Sequence, residues 1–247
     1  DFDAVSLNIS GDRYYQDGEI NQAMAEFNRA LALDPENVNV HNSLGVCYGV
    51  LGAYEKAVKI FQTAAGLAPD DLMPAYNIGL ANLMIGDKET ALKSFLAAVE
   101  KDPQAFEPAF QAGRAYFENG KPKKARAYLE KATARNPENA TARRFLGLCY
   151  LELKKETAAV AELKKAVQLN PNDAQALSAL GYLFDRMGEN PDITTTFCRQ
   201  SVDIAPDNGL FRYRLGQLLI KKGALEDALR EFEAAQQLGH DTGKMIE

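Results

Sequence analysis

The sequence is poor in the residues that carry most chemistry. Of 247 residues, three are Cys, two are His and none is Trp. Three cysteines, an odd number spread over about 150 positions, make no disulfide framework, so a reducing compartment, the cytoplasm, is expected. Two histidines, His41 and His240, leave no room for a Cys/His metal set. No Gly-x-Ser-x-Gly elbow and no phosphate-cradling glycine loop is present. No catalytic residue, metal or cofactor is therefore expected. Apolar runs are only a handful of residues long, too short to span a bilayer. The formal charge is −6, against phosphate neutralisation and hence against a nucleic-acid partner.

What is present is a beat. Prolines fall at Pro35, Pro69, Pro103, Pro137, Pro171 and Pro206, and glycines at Gly11, Gly45, Gly79, Gly113, Gly147, Gly181 and Gly216. The steps are 34 residues, with one of 35 in each series. Alanines keep the same time at Ala23, Ala57, Ala91, Ala125, Ala159 and Ala228, with large apolar residues such as Phe27, Phe61, Phe95 and Leu129 four positions on. A fixed period near 34 is the mark of a repeat architecture. Each period splits into two amphipathic helices. In the second, Leu44, Tyr48 and Leu51 form one helical face closed by Gly52, and Ala57, Phe61 and Ala64 form another closed by Pro69. Asn37, Asp71, Asn139, Asp173 and Asn208 follow the prolines by two, where N-caps belong. A glycine kept in mid-helix costs roughly 0.5–1 kcal/mol against Ala, so close approach of the paired helices, small residue to small residue, is the expected reason for it.

The series Leu44, Gly45, Tyr48, Ala57, Phe61, Ala64, Pro69 resembles the signature of the tetratricopeptide repeat (TPR) family. The resemblance runs through seven repeats, at about 4–37, 38–71, 72–105, 106–139, 140–173, 174–208 and 209–242, read as a single domain over 1–247. Asn82 stands where Tyr is usual, Lys154 replaces a turn Gly, and His240 takes the last Pro position. Repeat six departs most. Thr194 and Ser201 replace its alanines, and an extra residue near Asn190-Pro191 is expected to push Phe197 or Cys198 off register and leave this repeat the weakest. The resemblance implies an all-α solenoid, a right-handed superhelix of helix pairs whose first helices line a partner-binding groove.

In that family the groove positions lie six, three and two residues before the signature Gly and one, four and five after it. Carried onto repeats three to five, they give a candidate site of Tyr76, Asn77, Leu80, Phe110, Gln111, Arg114, Phe117, Arg144, Phe145 and Leu148. The alternative is that neighbouring helices bury some of this face, chiefly Leu83, Leu151 and Phe117. Repeats one and two read as polar there, with Asp12, Asn42 and Ser43. The family's chaperone-tail clamp is not met, since Arg144 and Arg214 supply two of its five residues. Cys47 and Cys149, each two after a signature Gly, read as buried filler, and His41 as packing.

The charge is uneven. Residues 1–113 carry 7 Lys+Arg against 16 Asp+Glu, residues 114–165 carry 13 against 6, and residues 166–247 carry 8 against 12. The basic band coincides with the candidate groove, so the expected partner is a protein or peptide segment, apolar with acidic groups. The leading reading is a non-catalytic interaction module. A second is the regulatory or sensory region of a larger enzyme or signalling protein, favoured by a start without Met and by the short tail after His240. A third is a scaffold that associates weakly with itself.

Overall fold

A computed structural model describes residues 3–240; the tail 241–247 lies outside the described residues. Among the described residues the chain forms fourteen α-helices and no strand. First and second helices alternate through seven repeats: α1 (Ala4–Gln16) and α2 (Ile20–Leu33), α3 (Val38–Val50) and α4 (Tyr54–Leu67), α5 (Leu72–Ile85) and α6 (Lys88–Lys101), α7 (Phe106–Glu118) and α8 (Pro122–Arg135), α9 (Ala140–Glu152) and α10 (Glu156–Leu169), α11 (Ala174–Arg186) and α12 (Pro191–Ile204), α13 (Gly209–Lys221) and α14 (Leu225–Gln237). The chain divides into two compact units, Asp1–Tyr116 and Phe117–Glu247, with the boundary inside α7.

Helix starts follow the side chains read from the sequence. Asn37, Asp71, Asn139, Asp173 and Asn208 each accept a hydrogen bond from a backbone N–H of the first turn, at 2.9–3.2 Å. These caps satisfy donors that the helix itself leaves open. First helices end on a left-handed residue, usually Gly. Lys154 takes that place in repeat five with φ 58°, where a Cβ is strained.

The core of each unit repeats one contact. In the first unit, a Cβ added at Gly11 or Gly79 would sit 2.5 Å from a ring carbon of Phe27 or Phe95, and Gly45 faces Phe61 in the same way. In the second unit Gly147 faces Leu163 and Gly216 faces Phe232, at 2.6 and 2.7 Å. The expected pairing of small with small is thus corrected. Glycine on the first helix receives the large residue of the second, and the alanines flank that residue, fully buried.

A polar clasp recurs one turn before the glycine. His41 donates Nε2–H to the Pro35 carbonyl at 2.8 Å, and Arg143 and Arg212 donate Nε–H to Pro137 and Pro206 at 2.9 and 2.6 Å. Both arginines also pair with a carboxylate on the second helix, Glu162 at 2.6 Å and Glu231 at 2.9 Å. His41 packs as expected, tying its own repeat to the turn before it.

Repeat six keeps its helix pairing. Two residues rather than one separate Gly188 from the first residue of α12, so the turn absorbs the insertion. Cys198 then lies against Gly181 and is fully buried, while Phe197 packs on Phe184 with ring centroids 5.6 Å apart. The extra residue thus moves Phe197 out of the place against the glycine and puts Cys198 there, while the helix pairing is kept. Thr194 and Thr195 both donate to the Pro191 carbonyl, at 2.9 and 2.6 Å, which satisfies hydroxyls that are almost wholly buried.

Two substitutions test this packing by urea unfolding followed by helical circular dichroism. Gly79→Ala should destabilise by about 1–3 kcal/mol through overpacking against Phe95, despite alanine's better helix propensity. Lys154→Gly should stabilise by roughly 1 kcal/mol by releasing the left-handed strain. A neutral Gly79→Ala would show that the ring is free to move aside, contrary to the packing described.

Candidate functional site

In the first unit the candidate residues lie on α5 and α7. Tyr76 is half-buried, with its ring centroid 5.9 Å from that of Phe95. Burial pushes its phenol pKa up, a hydrogen bond from Gln111 acts the other way, and the charge of Glu107 raises it further. The two helices therefore share a polar link inside an apolar surface. Asn77 is buried, Leu80 half-buried. Phe110 stacks nearly parallel on Phe106, centroids 5.7 Å apart, and Arg114 follows one turn later, half-buried.

A cavity of about 310 Å3 opens beside Asn77 and Leu80, lined by Val46, Gly49 and Val50 of α3 and by Met84 of α5. Its α5 wall, Asn77 and Leu80, belongs to the candidate site, whereas its α3 wall lies in a repeat expected to be polar. The signal was Gly49, four after Gly45, where other repeats carry Tyr15, Leu83, Phe117, Leu151 or Ile220. A missing side chain is legible only against that register.

In the second unit Phe117 and Phe145 meet edge to face, centroids 5.7 Å apart. The guanidinium of Arg144 lies over the Phe145 ring at 5.0 Å, and its Nε is 3.3 Å from Asp173, the cap of α11. Arg144 also donates to Gln175. The side chain expected to wait for a ligand carboxylate thus already has one. Leu148 and Leu151 pack against the core cluster built around Leu163 and Leu180, and Phe117 is half-buried. A further cation was given too little weight. Arg214 is held by the Ser178 hydroxyl at 2.9 Å and lies 4.9 Å over the Tyr182 ring, and its burial lowers its pKa.

The cysteines two residues after a signature glycine, Cys47 and Cys149, are structural. Cys47, Cys149 and Cys198 are unpaired and fully buried. Burial pushes their thiols up to about 11, 12 and 12, against the formation of a reactive thiolate. Tyr150 beside Cys149 donates its hydroxyl proton to Glu130 at 2.7 Å. Among the described residues no group of His, Cys, Asp and Glu could hold a metal ion, and no helix is long and apolar enough to cross a membrane.

Helix pairs with a glycine seated on a ring, capped after a proline and closed by a left-handed turn, define a tetratricopeptide-repeat array. A TPR repeat profile matches residues 11–52, and the profile of the cilia and flagella-associated protein 70 C-terminal domain matches residues 48–246. The chain belongs to the family of that C-terminal domain. No curated protein matches the chain in sequence. Among solved structures, Pseudomonas aeruginosa pilF superposes with a TM-score of 0.73 at 18% identity, covering 85% of this chain and 95% of that one. YrrB, a TPR protein with an unusual peptide-binding site, does so at 0.67 and 18%, covering 75% and 95%. A chain of the APC/C hetero-tetramer Cut9-Hcn1 gives 0.64 at 20%, covering 88% of this chain but 43% of that one, so this chain spans less than half its length. Likenesses of that order establish the fold.

The buried thiols make a direct test. With native protein at pH 8, Cys47, Cys149 and Cys198 should stay unlabelled by a maleimide over hours and react within minutes in denaturant. Rapid native labelling of any of them, read by mass spectrometry, would return that cysteine to the functional candidates.

Proposed function

We propose that the chain is a non-catalytic interaction module whose first helices hold a segment of a partner protein. One observation supports this most directly. Large apolar side chains on the second helices, Phe27, Phe95, Leu129 and Leu163, are sealed, whereas Tyr76, Leu80 and Phe110 in one unit, and Phe117 and Phe145 in the other, are only half-buried. Each unit thus offers an aromatic patch, and partly exposed aromatics are the side chains that dominate interface energetics. The peptide-binding site of YrrB, a protein of the same fold, favours this class of ligand.

The partner segment is apolar with acidic groups. The basic band over residues 114–165 steers such a segment, and a carboxylate reaching Arg144 shares its guanidinium with Asp173. Three unpaired thiols fit a reducing compartment, the cytoplasm.

Peptide-library selection against the whole chain tests the proposal. Recovered peptides should carry a large apolar residue. Phe110→Ala and Phe145→Ala should each cost about 2 kcal/mol, roughly thirty-fold in affinity. Arg144→Gln, chosen to avoid placing a second carboxylate beside Asp173, should weaken acidic peptides by about ten-fold. Salt should weaken binding modestly, since the apolar part is unscreened. If all three variants bind like wild type and melt like it, the ligand sits elsewhere, and the second helices become the face to probe.

A further inference from the structure

The cavity at Gly49 does not stand alone. A second one, of about 280 Å3, is lined by Asp12 and Tyr15 of α1, Asn42 and Ser43 of α3, and Met73 of α5. Val46 and Asn77 line both cavities, so the two form one trough within the first unit. Its ends differ chemically. At one end the lining is aliphatic, with Val50 and Met84 56% and 62% exposed. At the other, Asp12 is exposed and, among the described residues, has no ion-pair partner. Asn42 and Ser43 add polar side chains at that end. The surrounding residues 1–113 carry 16 acidic against 7 basic side chains, so the field around the trough favours a cation.

We infer that this trough is a specificity subsite for an extended partner segment bearing a large aliphatic or aromatic residue close to a Lys or Arg. The apolar side chain enters the notch left by Gly49, and the basic residue pairs with Asp12. Volumes near 300 Å3 suit one or two side chains rather than a folded element. Gly49 and Asn42, which line opposite ends, are seven residues apart on α3, about 10 Å along the helix at roughly 1.5 Å per residue, and an extended chain covers that in about three residues. This rests on the reading of the chain as a segment-binding module and names a subsite that adjoins the first unit's aromatic patch at Leu80, with the opposite charge preference.

Gly49 is the useful handle. A Cβ there meets nothing within 4 Å, so a side chain fills the notch without disturbing the pair α3–α4. The probe is a phage-displayed random nonapeptide library selected on the whole chain, with recovered peptides resynthesised and measured by fluorescence anisotropy. Peptides pairing Leu, Ile, Met or Phe with a nearby Lys or Arg should be enriched. Gly49→Leu should weaken them at least ten-fold with an unchanged or higher unfolding midpoint, and Gly49→Ala should retain most of the affinity. Asp12→Lys should lower affinity at least five-fold and turn the selected flanking residue acidic. Peptides that ignore Gly49→Leu yet lose affinity with Phe110→Ala would overturn the subsite and leave the module standing. No enrichment of any peptide would overturn both. A dimer in sedimentation that Gly49→Leu converts to monomer would give the trough to a second copy of the chain and overturn the inference as well.

Discussion

The architecture depends on how deeply one residue of a second helix can sink into the first helix beside it. A glycine at that point removes the only side chain in the way, and Phe27, Phe61, Phe95, Leu163 or Phe232 fills the space. The contact fixes depth and rotation together. Once the ring is seated, flanking alanines such as Ala23 and Ala30 are fully buried and cannot be enlarged. The same seating fixes which face of the first helix is left over. That face carries Tyr76, Phe110 and Phe145, and it is where half-buried apolar side chains collect. The half-buried face and the sealed core are two sides of one packing decision.

Local signals were the legible ones. Prolines, caps and turn glycines act within a few residues, so Asn37 and Asp173 could be assigned from spacing and both cap a helix as read. The period also placed the glycines in mid-helix. It could not say what they touch, because a repeat gives depth along a helix and leaves azimuth open; hence small was paired with small where a ring belongs. The candidate site was less legible still. Arg144 and Asp173 are 29 positions apart, and nothing in either local context announces that they pair. Gly49 was invisible for a different reason, since a cavity is the absence of a residue and shows only against six other repeats.

Repeat six shows how a departure from pattern is absorbed. β-Branched polar residues disfavour a helix through lost rotamer freedom and competition for backbone hydrogen bonds. Here the competing bonds are made within the helix itself, from Thr194 and Thr195 to Pro191 and from Ser201 to Cys198 at 2.7 Å. The small Cys198 occupies the ring's place, and Phe197 packs on Phe184 beside it. An extra residue lengthens the turn and leaves the helix length at 14 residues, like its neighbours α10 and α8. A sequence that looks irregular by alignment is regular by contact.

The same reasoning separates the outer helices of the array. In α3 and α9 the residues at one set of positions are Val40, Leu44 and Cys47, and Ala142, Leu146 and Cys149, all buried. At the matching positions α1 carries Ser6, Ser10 and Arg13, none of them buried. α1 also carries Val5 and Ile9, 64% and 63% exposed, so its open face mixes polar and apolar side chains. On α14 the matching logic gives another answer. Leu229 is 45% exposed, whereas Val160, at the equivalent position of α10, is 8% exposed. Leu225, one turn earlier, is 65% exposed. Exposed leucines in adjacent turns cost the second unit apolar area that its other helices bury. Both helices thus leave large apolar side chains in water, Val5 and Ile9 on α1 and Leu225 and Leu229 on α14, where α10 between them buries Val160.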